Sequence, residues 1–241
     1  MRRLRIFAGP NGSGKTTLYD YLLGKRFFKV YYHINPDEIA EELPIGLNLE
    51  SYPIQINEQS LRNYLSLSPF QQKAKDSLAD LISVSGKTIR SWTSKNITYL
   101  SAAIAEFIRQ EMLQSGSSFS FESVFSHPSK VEFIRKAREN GYKTYLYFIS
   151  TQDPKINQER VLSRASLGGH NVPPDKILDR YKKTMDNLYD ALLASDRAFL
   201  FDNSGNREPH RMFMEMKDGE MLFNSGSTPE WFIEFVQAKM H

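Results

Sequence analysis

The sequence predicts an α/β fold of three layers, with a mostly parallel central sheet between two sets of helices, on three observations. A short apolar run, Leu4-Arg5-Ile6-Phe7-Ala8, passes through a glycine-rich turn directly into helical spacing over residues 16–23. Further short apolar runs then alternate with helical stretches along the chain. Each of these runs ends in polar residues, which a parallel sheet gathers at the carboxyl edge where its ligands bind.

The second run, Val30-Tyr31-Tyr32-His33-Ile34, stops at Asn35-Pro36-Asp37, because Pro36 has no N–H to give to a ladder. The third, Ser118-Phe119-Ser120-Phe121, ends at Glu122. A helix over 129–140, closed by Gly141, leads to the fourth, Thr144-Tyr145-Leu146-Tyr147-Phe148-Ile149. A helix over 157–165 carries Arg160 and Arg164 on one face, and Arg180 begins the next helical stretch. The fifth run, Ala198-Phe199-Leu200-Phe201, ends at Asp202-Asn203-Ser204. Residues 212–216 and 221–223 flank Lys217-Asp218-Gly219-Glu220, a hairpin signal, so 205–241 reads as a C-terminal hairpin and helix. Residues 44–96 show no clear strand and exceed what one crossover helix requires, which predicts a helical insertion within a single domain spanning 1–241.

Bulk properties narrow the function classes. At 241 residues the chain suits one α/β domain with an insertion, and 24% charged residues are ordinary for a soluble protein. The net charge of +3 is spread without blocks, so it favours nucleic acid only weakly. With no cysteine, disulfides, thiolate-bound zinc and thiol catalysis are excluded. The basic start, Met1-Arg2-Arg3-Leu4-Arg5, runs into glycines before any apolar signal core can form. No apolar run approaches the roughly 20 residues needed to span a bilayer, and the expectation is a soluble cytoplasmic protein.

The glycine-rich turn is Gly9-Pro10-Asn11-Gly12-Ser13-Gly14-Lys15-Thr16-Thr17, which fits G-x-x-x-x-G-K-[ST] between a strand and a helix. In a P-loop of this kind the glycines let successive N–H groups point at phosphate oxygens, and the helix start adds its positive end. Lys15 is expected to reach the β- and γ-phosphates of ATP, and the Thr16 hydroxyl to ligate Mg²⁺. Asp37 is the candidate general base for a hydroxyl acceptor, its alternative role being the cap of a helix over 38–43. Glu122 could hold Mg²⁺ through water, bind the acceptor, or simply pair with an arginine. Arg160, Arg164 and Arg180 are candidates for a lid that neutralises the transferring phosphoryl group, or else solvated helix residues. Gly168-Gly169-His170 suits a flexible link between the arginine-bearing helices, without a second ligand to make His170 a metal site. Asn203, within Asp202-Asn203-Ser204, could border the adenine pocket.

Residues 78–92, Leu78 to Trp92, resemble a helix-turn-helix unit in which Lys87, Thr88 and Arg90 open the second helix. A helical cap over a substrate, with Trp92 as a core anchor, explains the same pattern. Three function classes follow: a kinase with a hydroxylated acceptor, an ATPase or nucleotide switch without one, and a DNA-binding protein with a nucleotide-sensing domain. The weak basic balance argues against the last.

The same residues, taken in order, resemble the zeta toxin family of P-loop kinases. The resemblance rests on 9–17, Asn35-Pro36-Asp37-Glu38-Ile39-Ala40, Phe121-Glu122-Ser123-Val124-Phe125-Ser126, Gly141-Tyr142, Arg160-Val161 with Arg164, Gly168-Gly169-His170-Asn171-Val172-Pro173, Arg180-Tyr181 and Asp202-Asn203-Ser204. It implies transfer of the ATP γ-phosphate to a hydroxyl of a nucleotide sugar such as UDP-N-acetylglucosamine, with an antitoxin protein as a further partner. It implies Lys15 as the P-loop lysine, Asp37 as base, Glu122 as the strand-end acid near substrate, and Arg164 with Arg180 on the phosphates. Where the family commonly has Thr-Thr after that acid, this chain has Ser123-Val124.

Overall fold

The computed structural model describes residues 1–29, 32–166, 172–205 and 210–240. In chain order its elements are β1 (Arg2–Ala8), α1 (Lys15–Gly24), β2 (His33–Ile34), α2 (Pro36–Glu42), β3 (Leu47–Asn48), α3 (Glu58–Leu67), β4 (Ile82–Ser85), β5 (Thr88–Ser91), α4 (Ile97–Ser115) and β6 (Phe119–Ser123). There follow α5 (Ser129–Glu139), β7 (Tyr142–Ser150), α6 (Pro154–Ser166), α7 (Pro174–Asp186), α8 (Leu188–Ala194), β8 (Arg197–Asp202), β9 (Arg211–Lys217), β10 (Glu220–Phe223) and α9 (Glu230–Phe235). The chain divides into two compact units, Met1–Val30 with Glu122–His241, and Tyr31–Phe121, so that the boundary falls inside β6.

In the first unit β1, β7 and β8 run parallel with β7 between the other two, and β9 and β10 extend the sheet antiparallel from β8. The register sets Phe7 opposite Tyr147 and Tyr147 opposite Phe199. Their rings stack at 4.8 and 5.0 Å with interplanar angles of 8° and 16°. Leu18 and Leu22 of α1, with Phe28, close over this stack and complete one apolar core. Side chains alternate along a strand, so the next residue faces the other way, and Phe148 meets Trp231 of α9 at 6.1 Å. Helices therefore cover both faces of a mostly parallel sheet, as expected. The C-terminal hairpin also forms as read: Glu220 pairs with Lys217 across an Asp218-Gly219 turn whose φ values of 52° and 85° are those a two-residue turn demands.

In the second unit β2 and β6 are parallel, with His33 opposite Ser120 and Ile34 opposite Phe121. The 19-residue α4 buries a broad face that includes Leu100, Ile104, Phe107 and Ile108, and α2 and α3 pack on it. Residues 44–96 are helical only in part. They hold α3 and 3₁₀ turns at Gln71–Lys73 and Leu78–Leu81, but also an antiparallel sheet ordered β3-β5-β4. The helix-turn-helix reading of 78–92 is corrected with it. Ser85 pairs with Thr88 across a two-residue Gly86-Lys87 turn, Gly86 supplying φ 59°, and β-branched Ile82, Val84 and Ile89 favour strand over helix. No recognition helix exists there to carry Lys87, Thr88 and Arg90, and Trp92 is 66% exposed rather than a core anchor. Arg62 of α3 braces the hairpin instead, donating to the carbonyls of Ala79 and Ile82 while paired with Glu58.

Two further expectations shift. Arg180 lies in the middle of α7 rather than at the start of a helix, because Pro174 begins that helix. Gly168-Gly169-His170 lies outside the described residues. Among the described residues no helix is long and apolar enough to cross a membrane. The aromatic stack makes a direct prediction: Phe7→Ala, removing a ring with 0% exposure, lowers stability by about 3–5 kcal/mol in a denaturant titration, whereas Trp92→Ala changes it by less than about 1 kcal/mol.

Candidate functional site

The glycine-rich loop joins β1 to α1. The N-cap of α1 is Gly14 at φ 98°, and no side chain caps the helix, so its first N–H groups are presented as an anion would need them. Gly12 has φ 73°, and a Cβ there would lie 2.4 Å from the backbone oxygen of Asn157, an approach only glycine permits. Two loop carbonyls are turned back into the protein: Asn157 Nδ2 donates to Asn11 O at 2.7 Å, and Asn203 Nδ2 donates to Ser13 O at 2.8 Å. Both asparagines are buried and themselves fixed. The Thr151 hydroxyl donates to Asn157 Oδ1, and the Asn203 N–H donates to Ser150 O at 2.8 Å. Tyr181 in turn donates its hydroxyl to Thr151 O at 2.6 Å, and burial pushes that phenol up to about 12.

The charged groups follow. Lys15 Nζ donates to Gly9 O and Pro10 O, each at 3.0 Å. The Thr16 hydroxyl donates to Glu122 Oε2 at 2.9 Å, and Glu122 is 5% exposed near the carboxyl end of β6. A backbone bond from Gly9 N to Ser123 O at 3.3 Å joins the loop to the same strand. The Ser123 hydroxyl, standing where the family has threonine, accepts from the Phe125 N–H at 3.1 Å and so serves the backbone. Thr16 and Glu122 together offer the hard oxygen ligands that Mg²⁺ takes. Among the described residues there is no group of three or more His, Cys, Asp or Glu that could hold a metal ion.

Of the three arginines, Arg160 is the one the structure brings beside the loop. It lies one turn after Asn157 on α6, and its Nη1 is buried with no hydrogen-bond partner among the described residues. It also acts on His210, the residue before β9. The Nε2 of His210 lies 3.6 Å from where a Cβ on Gly14 would be, and its ring is 5.9 Å from Tyr21 of α1. Burial first, then the charge of Arg160, pulls this imidazole below its ordinary range. Arg164 is exposed one turn further along α6, and Arg180 is half-buried on α7. Asn157 and His210 were missed in the sequence, where nothing local marks them: the first meets the loop across 146 positions.

In the second unit Asp37 is exposed in the first turn of α2. It does not cap that helix. Asn35 does, its Oδ1 accepting the Asp37 N–H at 3.0 Å while its Nδ2 donates to Glu38 Oε1 at 3.2 Å.

Comparison with known proteins agrees with this geometry. The family model described as Zeta toxin matches residues 77–211, more than half of the chain. An uncharacterized protein of Haemophilus influenzae is 26% identical over 176 residues, covering 73% of this chain and 90% of its own. Among solved structures, the AvrRxo1-ORF1:-ORF2 complex with ATP superposes with a TM-score of 0.61 at 14% identity, covering 100% of this chain and 65% of that chain. This chain thus spans less than two thirds of that relative's length. The PezAT chromosomal toxin-antitoxin system of Streptococcus pneumoniae gives a TM-score of 0.54 at 15% identity, covering 100% of this chain and 80% of the other. At these identities the two structures speak for the fold alone. The chain belongs to the zeta toxin family.

Proposed function

We propose that the protein is an ATP-dependent kinase, transferring the γ-phosphoryl group of ATP to a hydroxyl of a small molecule, with a nucleotide sugar such as UDP-N-acetylglucosamine as the acceptor. The observation that carries this reading is the 2.9 Å bond between the Thr16 hydroxyl and the buried Glu122 carboxylate, immediately beside Lys15 and the uncapped start of α1. A buried carboxylate held on the hydroxyl of the helix's second residue is the oxygen donor set a Mg²⁺-phosphate site uses. Thr16 and Glu122 would hold a Mg²⁺ here, and the ion would supply positive charge against that developing on the transferring phosphoryl group. The AvrRxo1 relative crystallised with ATP supports the choice of nucleotide.

The residues divide the work. Lys15 exchanges its bonds to the Gly9 and Pro10 carbonyls for β- and γ-phosphate oxygens. Asp37 holds the acceptor hydroxyl and takes its proton as the new oxygen–phosphorus bond forms and the bond from phosphorus to the β–γ bridging oxygen breaks, releasing ADP. An exposed carboxylate suffices, since the proton moves late. Arg164 and Arg180, with Arg160, oppose the phosphoryl charge. An antitoxin partner belongs to the same reading, because PezAT is a toxin-antitoxin system.

The test is incubation with labelled ATP, Mg²⁺ and a panel of nucleotide sugars alongside a metabolite extract, with mass spectrometry of the products. Lys15→Ala and Asp37→Ala are both expected to abolish transfer, the second while still binding ATP; full transfer by the Asp37 variant would remove it as the base. Glu122→Gln is expected to raise the Mg²⁺ concentration needed for half-maximal rate by about tenfold or more, read from a metal titration. Asn157→Ala leaves the Asn11 carbonyl without its amide, and is expected to cost about 1–3 kcal/mol of stability by denaturation.

A further inference from the structure

Three features meet at His210. The first is His210 itself, whose imidazole Nε2 stands over the glycine that begins α1, within 4 Å of the same point as the Asn203 amide. The second is its backbone: His210 has φ 60°, in the left-handed region, a conformation that costs free energy in a non-glycine residue and persists where the surroundings enforce it. The third is the neighbouring Arg160 Nη1, a buried cationic donor without a partner among the described residues. A buried donor of that kind calls for an acceptor.

We infer that His210 is a nucleotide-binding residue, donating a hydrogen bond from its imidazole to the phosphate chain of a nucleoside di- or triphosphate seated on the Gly12–Thr16 backbone. This rests on the kinase reading for the ligand, and adds a group to the site that the P-loop motif does not contain. Tyr21 sets the plane of the ring from one side, at 5.9 Å and 37°. The opposite requirement, that the ring stay uncharged beside Arg160, is met by burial, which lowers the proton affinity of His210 and leaves a neutral ring with one N–H to give. A neutral donor and a cationic one then act on one anion with no repulsion between them.

The experiment measures binding of ADP and of inorganic pyrophosphate by calorimetry to the wild-type chain, His210→Gly and Lys15→Ala. Glycine is chosen because it accepts the left-handed backbone without strain, so loss of binding is not loss of fold. The expected result is about tenfold weaker binding of both ADP and pyrophosphate by His210→Gly. In the wild-type protein the His210 ring resonances, identified by their absence in the variant, are expected to shift on adding pyrophosphate alone. Unchanged affinities with an unmoved ring would overturn the proposal while leaving the kinase reading intact. Weakening confined to ADP would also overturn it, by moving His210 to the base or sugar. A wild-type protein that binds neither ligand, like Lys15→Ala, would bring down the nucleotide reading and this inference with it.

Discussion

A loop that passes through positive φ at Gly9, Gly12 and Gly14 is costly to hold in one shape, and here two buried side-chain amides do the holding. Glycine loses more backbone freedom on ordering than any other residue, so the sequence that permits the turn also works against its persistence. Asn157 and Asn203 offset that loss by taking the carbonyls of Asn11 and Ser13. Each bond contributes about 0.5–1.5 kcal/mol, but its geometric effect matters more. With those two carbonyls drawn inward, the first N–H groups of α1, which no side chain caps, are left for an anion. The clamps are themselves clamped, through Thr151, Tyr181 and Ser150, so the loop inherits the rigidity of the surrounding core.

That core is the aromatic stack. Phe7, Tyr147 and Phe199 lie in register on three adjacent parallel strands, which fixes the relative heights of β1, β7 and β8 and so of the residues that follow them. Gly9 follows β1, Thr151 follows β7 and Asn203 follows β8. On the opposite face Trp231 donates to Asp202 Oδ1 at 3.1 Å, and Ser204 donates to the same oxygen at 2.6 Å, so the turn carrying Asn203 is held from both sides. The C-terminal helix thereby acts on the loop without touching it.

The loop, the parallel strands and the terminal hairpin were legible because each is written in adjacent residues: glycine spacing, short apolar runs, an Asp-Gly turn. Glu122 was legible as a strand-end acid, although which group it meets could be seen only once β6 was in place. Asn157 and His210 were not legible. An asparagine in an amphipathic helix carries no local sign that its amide will meet a loop 146 positions away. The β3-β5-β4 sheet was missed for a different reason. Leu78, Leu81 and Ile82 mimic helical spacing, and a glycine between two such segments is shared by helix-turn-helix units and hairpins alike. The alternation of Ile82 and Val84 and the pair Thr88-Ile89 carried the strand signal, but over four residues on each side it is short.

The family match begins at residue 77, so the loop and Asp37 both lie outside it. Their assignment could therefore seem to rest on motif alone, yet the structure ties the two parts together in the first unit. Asn157 to Asn11, Asn203 to Ser13, Thr16 to Glu122 and Gly9 to Ser123 each have one end within 77–211 and the other in the loop. A buried asparagine amide and a buried carboxylate are expensive unless satisfied, and at these positions the loop satisfies them. The matched segment thus carries polar groups whose placement makes physical sense only if a loop of this shape is present. In the second unit the Asn35 cap orders the backbone of Asp37 at the start of α2. The loop itself is held by four bonds to the matched segment, so its shape and that segment's buried polar groups depend on one another.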